Sequence, residues 1–187
     1  MENQMIREKL KKKLKEQRYE HTIGVMYTAA SLAMCHGADM EKALLAGLLH
    51  DCGKYGTGEE QIRRCFKHQV ELSEAEIENP ALVHAKLGAY YAKSKYEVED
   101  PEILSAILYH TTGHPEMTLL EKIIYIADYI EPGRKQIPGL EQIRRLAFHD
   151  LDQAVCLCSE HTLHYLRSQG KKIDPVTVET YEYYRRS

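Results

Sequence analysis

The sequence of 187 residues predicts an all-α protein, and three observations support this fold class. Apolar residues recur at helical spacing along almost the whole chain. No run of alternating apolar and polar residues is long enough to compete as a strand. Capping residues and glycines mark the ends of most of the helical segments. Together these features favour a bundle of consecutive helices.

The N-terminal part of the sequence predicts three helices. The first covers about residues 5–14, and the second runs from about 18 to 35. It stops at His36-Gly37, where glycine can adopt the left-handed C-terminal conformation. Asp39 then caps a third, apolar helix over residues 43–50, which ends near Gly53.

The segment 56–80 is polar and differs from its surroundings. It contains a shorter helical pattern at 59–67, and Ser73 followed by Glu76 is a capping-box pattern. Our hypothesis is that this segment forms a mobile cover over a site beneath it.

Six further helices are predicted in the rest of the chain, at about 81–94, 101–109, 118–130, 140–147, 150–168 and 175–185. Their starts are well marked. Asp100-Pro101 and Asp174-Pro175 each place a capping carboxylate before a proline at the first helical position. Thr118 with Glu121 forms another capping box.

Composition argues against two broad classes of function. A net charge of −3 lacks the basic character with which duplex-binding proteins neutralise phosphates, so we expect no nucleic-acid partner. The one basic run is interpreted as the solvated face of a terminal helix rather than an electrostatic patch; it comprises Lys11, Lys12, Lys13 and Lys15. No apolar stretch is long enough to span a bilayer and the first residues do not form a signal peptide, so we expect no membrane association and a cytoplasmic location.

Length and cysteine content complete these expectations. A chain of this size favours one domain over residues 1–187, and the five cysteines, an odd number, are expected to be free thiols.

The strongest local signal for chemistry is His50-Asp51, which ends an apolar helix and directly precedes Cys52-Gly53-Lys54. At a helix end, both side chains can turn toward one ion, and glycine lets the backbone approach closely. Alone the pair is weak evidence, because a histidine that caps helix carbonyls is an ordinary alternative. The chain also contains His149-Asp150. That pair precedes a helix, so Asp150 is interpreted as an N-cap and no metal is expected there.

Four other residues strengthen the interpretation of His50-Asp51 as a metal site. Each lies within or beside an apolar helical run on a separate predicted helix, where an unpartnered polar group is costly. They are His21, His84, His110 and Asp128.

Mixed imidazole and carboxylate ligands suit iron, manganese, cobalt or zinc better than calcium or magnesium. An ion bound by such ligands lowers the pKa of water and polarises a phosphoryl oxygen. Lys54, next to the pair, could neutralise phosphate charge. The predicted chemistry is therefore hydrolysis of a phosphate compound.

The order of His21, His50-Asp51 and Asp128 resembles the H…HD…D signature of the HD-domain phosphohydrolase superfamily, whose fold is a helical bundle. Longer segments resemble its bacterial YqeK-type branch, the symmetrical diadenosine tetraphosphate hydrolases; they are residues 18–25, 84–90, 109–113 and 117–132. The resemblance spans the chain from Arg18 to about Tyr184.

This resemblance implies an HD domain whose metal-site core covers about 18–132, with C-terminal helices at 138–187 packing on it. It implies symmetrical cleavage of diadenosine tetraphosphate into two ADP by a homodimer. The implied cofactor is a divalent transition metal, most readily iron, with manganese or cobalt as alternatives. Its implied ligands are His21, His50, Asp51 and Asp128.

By position, the resemblance also implies roles in catalysis and substrate binding. The catalytic set is Asp51, Asp128, His84, His110 and Lys54. The sequence does not identify the general base, and Asp128 is the better candidate if it only partly engages the ion. His84 and His110 either face the phosphates or hold a second ion. The residues implied in substrate binding are His21, Gly24, Lys54, His84, His110, Thr111, Asp128, Gly133, Arg134, Gly170, Lys171, Lys172, Ile173, Asp174 and Pro175.

Two rival functions are compatible with the same residues. One is another nucleotide phosphohydrolase, such as a nucleotidase or an alarmone hydrolase. The other is a nucleotide sensor without catalytic activity, although such a protein would be expected to have lost one of the six candidate ligands.

Overall fold

The computed structural model describes residues 3–186, and over that range it contains eleven α-helices and no strand. The all-α prediction is confirmed. The helices are α1 (Asn3–Lys13), α2 (Glu16–His36), α3 (Met40–Leu49), α4 (Gly58–Lys67), α5 (Glu74–Glu78), α6 (Val83–Tyr96), α7 (Pro101–Tyr109), α8 (Leu119–Ile130), α9 (Leu140–Ala147), α10 (Leu151–Ser168) and α11 (Pro175–Tyr184).

Four helix starts differ from the prediction by two or three residues. α3 begins at Met40, three residues earlier than predicted, because the Asp39 carboxylate accepts a hydrogen bond from the Lys42 backbone N–H (3.1 Å) and caps the helix at once. α1 begins at Asn3, α2 at Glu16 and α6 at Val83, each displaced by two residues. Apolar periodicity is a poor guide to such boundaries, since the first turn of a helix is often polar.

Most predicted caps are confirmed. Gly37 follows α2 with a φ of +72°, in the left-handed conformation. The capping boxes at Ser73 and Thr118 both form. Carboxylate caps at the other predicted N-termini also accept backbone N–H groups; they are Asp100, Asp150 and Asp174.

The polar segment 56–80 contains α4 and α5. It is fastened to α6 by Lys86, whose ammonium group donates to the Glu76 carboxylate (2.7 Å) and to the Glu71 carbonyl oxygen (3.1 Å). Gln61 and Cys65 of α4 are buried. Its proposed role as a mobile cover stays a prediction.

α8 lies at the centre of the bundle. It packs against α2, α3 and α7 on one side and against α9 and α10 on the other. Its apolar residues are almost inaccessible to solvent and join the main hydrophobic cluster; they include Ile123, Ile124 and Ile126. α2, α3, α7 and α8 meet here, and together with α6 they bring the candidate ligands together.

The last helix is tied to the loop before α8 by a buried hydrogen bond. The Tyr184 hydroxyl oxygen accepts from the Met117 backbone N–H (2.9 Å). We expect Tyr184→Phe to lower the free energy of unfolding by about 1–3 kcal/mol, because it leaves a buried N–H without a partner. Urea denaturation would measure this change. Tyr165→Phe, at an exposed tyrosine, is the control and should stay within about 0.5 kcal/mol of the parent; an equally small effect at Tyr184 would contradict the prediction.

Candidate active site

Six imidazole and carboxylate side chains from five helices converge at one point. Three overlapping groups of three have ligand atoms that all lie within 4.8 Å of one another. The six side chains are His21 in α2, His50 and Asp51 at the end of α3, His84 in α6, His110 at the end of α7 and Asp128 in α8. The structure thus places together every ligand implied by the sequence.

Three of the four histidines are oriented in the same way. The Nδ1 atoms of His50, His84 and His110 each donate to the carbonyl oxygen of the residue three positions earlier, at 2.7 Å. The acceptors belong to Gly47, Ala81 and Ile107. Each bond selects the tautomer whose Nε2 lone pair is free, which is the form that coordinates a metal.

His21 differs, because a carboxylate holds its ring. His21 Nδ1 lies 3.0 Å from Glu131 Oε1, and Glu131 Oε2 accepts the Gly133 backbone N–H at 2.6 Å. His21 Nε2 lies 2.9 Å from Asp128 Oδ1. Glu131 therefore orients the His21 ring. The sequence analysis did not include Glu131 among the site residues.

Several buried polar atoms at the centre lie close to another polar group of the site but form no hydrogen bond among the described residues. They are His21 Nε2, His50 Nε2 and Asp51 Oδ1. Buried polar atoms without partners are rare in folded proteins. A divalent cation would satisfy all three, and nitrogen and carboxylate oxygen are donors that transition metals accept. The residues therefore fit a bound divalent metal.

The charges of the site agree with this interpretation. Burial opposes ionisation of Asp51, but neighbouring His50 and Lys54 hold its pKa well below the usual range. The pKa of Asp128 is also lowered, because contacts with His21 and Arg134 outweigh the effect of burial. Burial, followed by the Lys54 charge, lowers the pKa of His84 to about 4. Anionic carboxylates and a neutral imidazole are the ligand forms that metals bind.

Three cationic side chains surround the carboxylates. Lys54 Nζ lies 3.5 Å from Asp51 Oδ1, and Arg18 donates to Asp51 Oδ2 (2.9 Å). Arg134 donates to Asp128 Oδ1 (2.7 Å). These cations can contact phosphate oxygens once the carboxylates bind a metal. Arg18 was not among the predicted site residues, although it opens the segment on which the resemblance rests.

The turn that carries Asp51 packs directly on the backbone of α6. A Cβ atom added to Gly53 would lie 2.5 Å from the His84 carbonyl oxygen and 2.7 Å from the Gly88 nitrogen. Only glycine allows the two backbones to approach so closely. The contact sets the distance between Asp51 and His84, whose Oδ1 and Nε2 atoms are 3.1 Å apart.

We expect Gly53→Ala to lower the free energy of unfolding by about 1–3 kcal/mol, because α6 must move to relieve the clash. The same movement separates Asp51 from His84, so metal affinity should also fall. Chemical denaturation and chelator competition measure the two effects. Gly37→Ala, which has open space around its Cβ but a positive φ, should destabilise without changing metal affinity; parallel behaviour of the two variants would contradict the prediction.

Cavities adjoin the site on more than one side. A cavity of about 750 Å³ is lined by His21, Gly24, Gly133 and Arg134 together with Arg18 and Glu131. Another, of about 580 Å³, is lined by Lys54 and His84. A third, of about 620 Å³, lies between α5, α6, the end of α7 and the loop before α11. Its lining includes Thr111, Lys172, Ile173, Asp174 and Pro175.

The remaining predicted substrate residues do not reach these cavities. Gly170 and Lys171 are exposed, and Gly170 adopts a φ of +60° with open space around it. Asp174 also has a structural role, since its carboxylate accepts the Val176 backbone N–H (2.9 Å) and caps α11. In the loop before α11, residues 172–175 therefore line a cavity, whereas Gly170 and Lys171 only connect α10 to this part of the loop.

Comparisons with known proteins agree with the fold and the site. The model of the HD domain family matches residues 18–133. A protein of Bacillus subtilis (strain 168), named "Bis(5'-nucleosyl)-tetraphosphatase, symmetrical", is 42% identical over 174 residues, which are 93% of this chain and 92% of the relative. A protein of the same name from Staphylococcus aureus is 37% identical over 182 residues, covering 95% and 91%.

A solved structure is also similar over the full chain. It is described as a predicted HD superfamily hydrolase involved in NAD metabolism from Clostridium acetobutylicum, and it has 40% sequence identity and a TM-score of 0.94. The match covers 100% of this chain and 98% of that one. With the family match over residues 18–133, these findings show that the chain belongs to the HD domain family, in the branch whose relatives are named symmetrical bis(5'-nucleosyl)-tetraphosphatases.

Proposed function

We propose that the protein hydrolyses diadenosine tetraphosphate symmetrically, releasing two molecules of ADP, in a reaction that depends on a divalent metal. The observation that supports this most directly is the cluster of six imidazole and carboxylate ligands, all retained, in a chain 37–42% identical to relatives that carry the name of this activity. A sensor without catalytic activity is disfavoured, because no candidate ligand is missing.

The proposed ligands of the metal are His21, His50, Asp51 and Asp128. When bound, the ion supplies a water of lowered pKa and polarises a phosphoryl oxygen. Among the candidate metals we favour iron, with manganese or cobalt as alternatives, because imidazole and carboxylate donors suit these ions.

The other residues of the site act on the phosphates. His84 Nε2 and His110 Nε2 lie 3.1 Å apart. In both rings Nδ1 carries the proton, because it donates to a backbone carbonyl oxygen. Their facing lone pairs therefore need a proton or a cation between them. The Lys54 ammonium group, 3.4 Å from His84 Nε2, supplies positive charge there. We propose that these three groups stabilise the charge that develops on the phosphoryl oxygens, or that the two histidines hold a second ion.

Asp128 is the proposed general base. Its carboxylate is more exposed than that of Asp51, at 19% against 1% of the side chain, so it can reach a water on the substrate side. Arg134 holds one of its oxygens by donating to Oδ1. Arg134 and Thr111 are proposed to contact the phosphates, and the backbone of residues 170–175 to contact the nucleoside.

Three broader features belong to the same proposal. Residues 1–187 form a single HD domain, with the metal-site core at about 18–132 and the helices of 138–187 packed on it. The protein acts as a homodimer in the cytoplasm. No helix among the described residues 3–186 is long and apolar enough to cross a membrane.

Product identification tests the proposed reaction. The protein should be purified anaerobically, analysed for metal and incubated with diadenosine tetraphosphate. ADP as the only nucleotide product is the expected result. ATP with AMP would indicate asymmetric cleavage, and release of phosphate from a mononucleotide would indicate a nucleotidase. Tight nucleotide binding without turnover in added iron or manganese would favour the sensor.

A further inference from the structure

We propose that Arg144 in α9 is a positioning residue for the metal site, because it fixes the backbone of Glu131 and, through it, the orientation of His21. Arg144 itself makes no hydrogen bond or ion pair with a candidate metal ligand among residues 3–186. The inference rests on the metal site proposed above, and it extends the residues that support the site beyond the core at about 18–132.

The Arg144 guanidinium binds the end of α8 through two of its nitrogens. Nε donates to the Ile130 carbonyl oxygen (3.0 Å), and Nη2 donates to the Glu131 carbonyl oxygen (3.1 Å). The third nitrogen, Nη1, donates to the Glu141 carboxylate (2.9 Å). The last carbonyl groups of a helix have no partner within the helix and attract cations. A planar guanidinium can hold two successive carbonyl groups at once.

The Glu131 backbone needs partners outside the helix, because α8 ends there. Glu131 has a φ of −50° and a ψ of 150°, which takes the chain out of the helical conformation. Its carbonyl oxygen accepts from the Arg134 backbone N–H (3.0 Å) as well as from Arg144. These two bonds fix the point at which the chain leaves α8.

The Glu131 side chain has little room to compensate for a shift of its backbone. Its carboxylate contacts His21 Nδ1 (3.0 Å) and accepts the Gly133 backbone N–H (2.6 Å). α2 lies directly against it, since a Cβ atom added to Gly24 would be 2.5 Å from Glu131 Oε2. A displaced Glu131 backbone therefore changes the contact that orients the His21 ring toward the metal site.

α9 holds Arg144 in place because the helix is packed on both sides. It contacts α8 and α10, and its Leu140 and Ile143 side chains belong to the main hydrophobic cluster. Gly139, which precedes α9 with a φ of +81°, lies so close to the His161 ring of α10 that an added Cβ atom would collide with it. The Arg144 side chain is only 22% exposed, so its bonds to α8 are partly shielded from water.

Cobalt affinity, measured by chelator competition, tests this inference without any turnover. We expect Arg144→Met, which keeps the bulk of the side chain but removes its donors, to weaken cobalt binding by about 3–10-fold, the change that loss of one ordinary hydrogen bond makes in an equilibrium. The effect should shrink to within about twofold when Glu131 is already glutamine, since the charge that Arg144 positions is then absent. If Arg144→Met does not fold, Arg144→Lys keeps the charge without the planar fork and should weaken cobalt binding in the same direction.

Two controls separate positioning from charge and from stability. Arg145→Met removes the same charge from the same helix, and the Arg145 side chain is exposed and forms no hydrogen bond or ion pair within residues 3–186. Tyr184→Phe destabilises the fold away from the site. Both variants should keep the cobalt affinity of the parent.

Three results would overturn the inference: parental affinity in Arg144→Met, an equal loss in Tyr184→Phe, or fully additive losses when Arg144→Met is combined with Glu131→Gln. If the parent binds cobalt and releases ADP alone from diadenosine tetraphosphate, any of these results leaves the proposed function standing and removes only the role of Arg144. A parent that binds no cobalt would overturn the metal site and this inference together.

Discussion

Asp51→Ala should abolish both metal binding and turnover. Asp51 approaches all four histidines of the site: its oxygens lie 3.1 Å from His84 Nε2, 3.4 Å from His50 Nε2, 3.8 Å from His110 Nε2 and 3.9 Å from His21 Nε2. Loss of a residue that only orients a ligand weakens metal binding by about 10–100-fold, so loss of the central carboxylate should weaken it by more than about 100-fold. Metal analysis after dialysis, together with ADP release, measures both effects.

The second His-Asp pair of the chain provides the control. Asp150 caps α10 by accepting the Gln153 backbone N–H (3.0 Å). Asp150→Ala should therefore cost about 1 kcal/mol of stability and leave metal content and activity intact. Circular dichroism would show that Asp51→Ala remains folded. Full metal content or full activity in Asp51→Ala would remove Asp51 from the site.

Glu131→Gln should weaken metal binding by about 10–100-fold, the range found when a residue that orients a histidine ligand is changed. Glutamine keeps the shape of the side chain but removes the negative charge next to His21 Nδ1. His21 Nε2 then becomes less basic and binds the metal more weakly. Cobalt affinity measured by chelator competition is the direct test, because it reports on the ligand without any turnover. Affinity within twofold of the parent would show that Glu131 only packs against His21.

Two further variants separate orientation from stability. Glu121→Gln changes a second buried glutamate, which lies in the first turn of α8, at the opposite end of the helix from Glu131, and touches no candidate ligand. It should destabilise the fold without changing cobalt affinity. Gly24→Ala keeps the Glu131 carboxylate but adds a Cβ atom 2.5 Å from its Oε2. It should displace the carboxylate and weaken cobalt binding in the same direction as Glu131→Gln.

Sequence reasoning was most successful where a local rule determines the structure. The predicted N-caps at Asp39, Asp100 and Asp174 are confirmed, because a capping carboxylate is bonded to backbone only two or three residues away. The class of the fold followed from the helical spacing of apolar residues, the absence of alternating runs and the capping residues. Helix starts such as Met40 were misplaced, since the polar first turn carries no apolar signal.

At the candidate site, contacts between residues far apart in the sequence could not be predicted. His21, His50, Asp51 and Asp128 could be named because a signature links them, whereas Arg18 and Glu131 carry no local signal of their contacts. Arg18 reaches a residue 33 positions away and Glu131 reaches one 110 positions away. Such pairs depend on how α2 and α8 pack, which no short pattern encodes. The position of Glu131 directly after an apolar helix shows only that it follows the helix, not that it contacts His21.

The dispersal of the ligands along the chain has a consequence for folding. His21 and Asp128 come from helices that are separated by most of the sequence, and the site exists only after α2 has docked on α8. A nascent chain or a partly folded intermediate therefore cannot capture the ion at this site. Metal binding at the complete site therefore follows the docking of α2 on α8, and the ion then stabilises only the native state, by about 2.7 kcal/mol at a free concentration of 100 times its Kd.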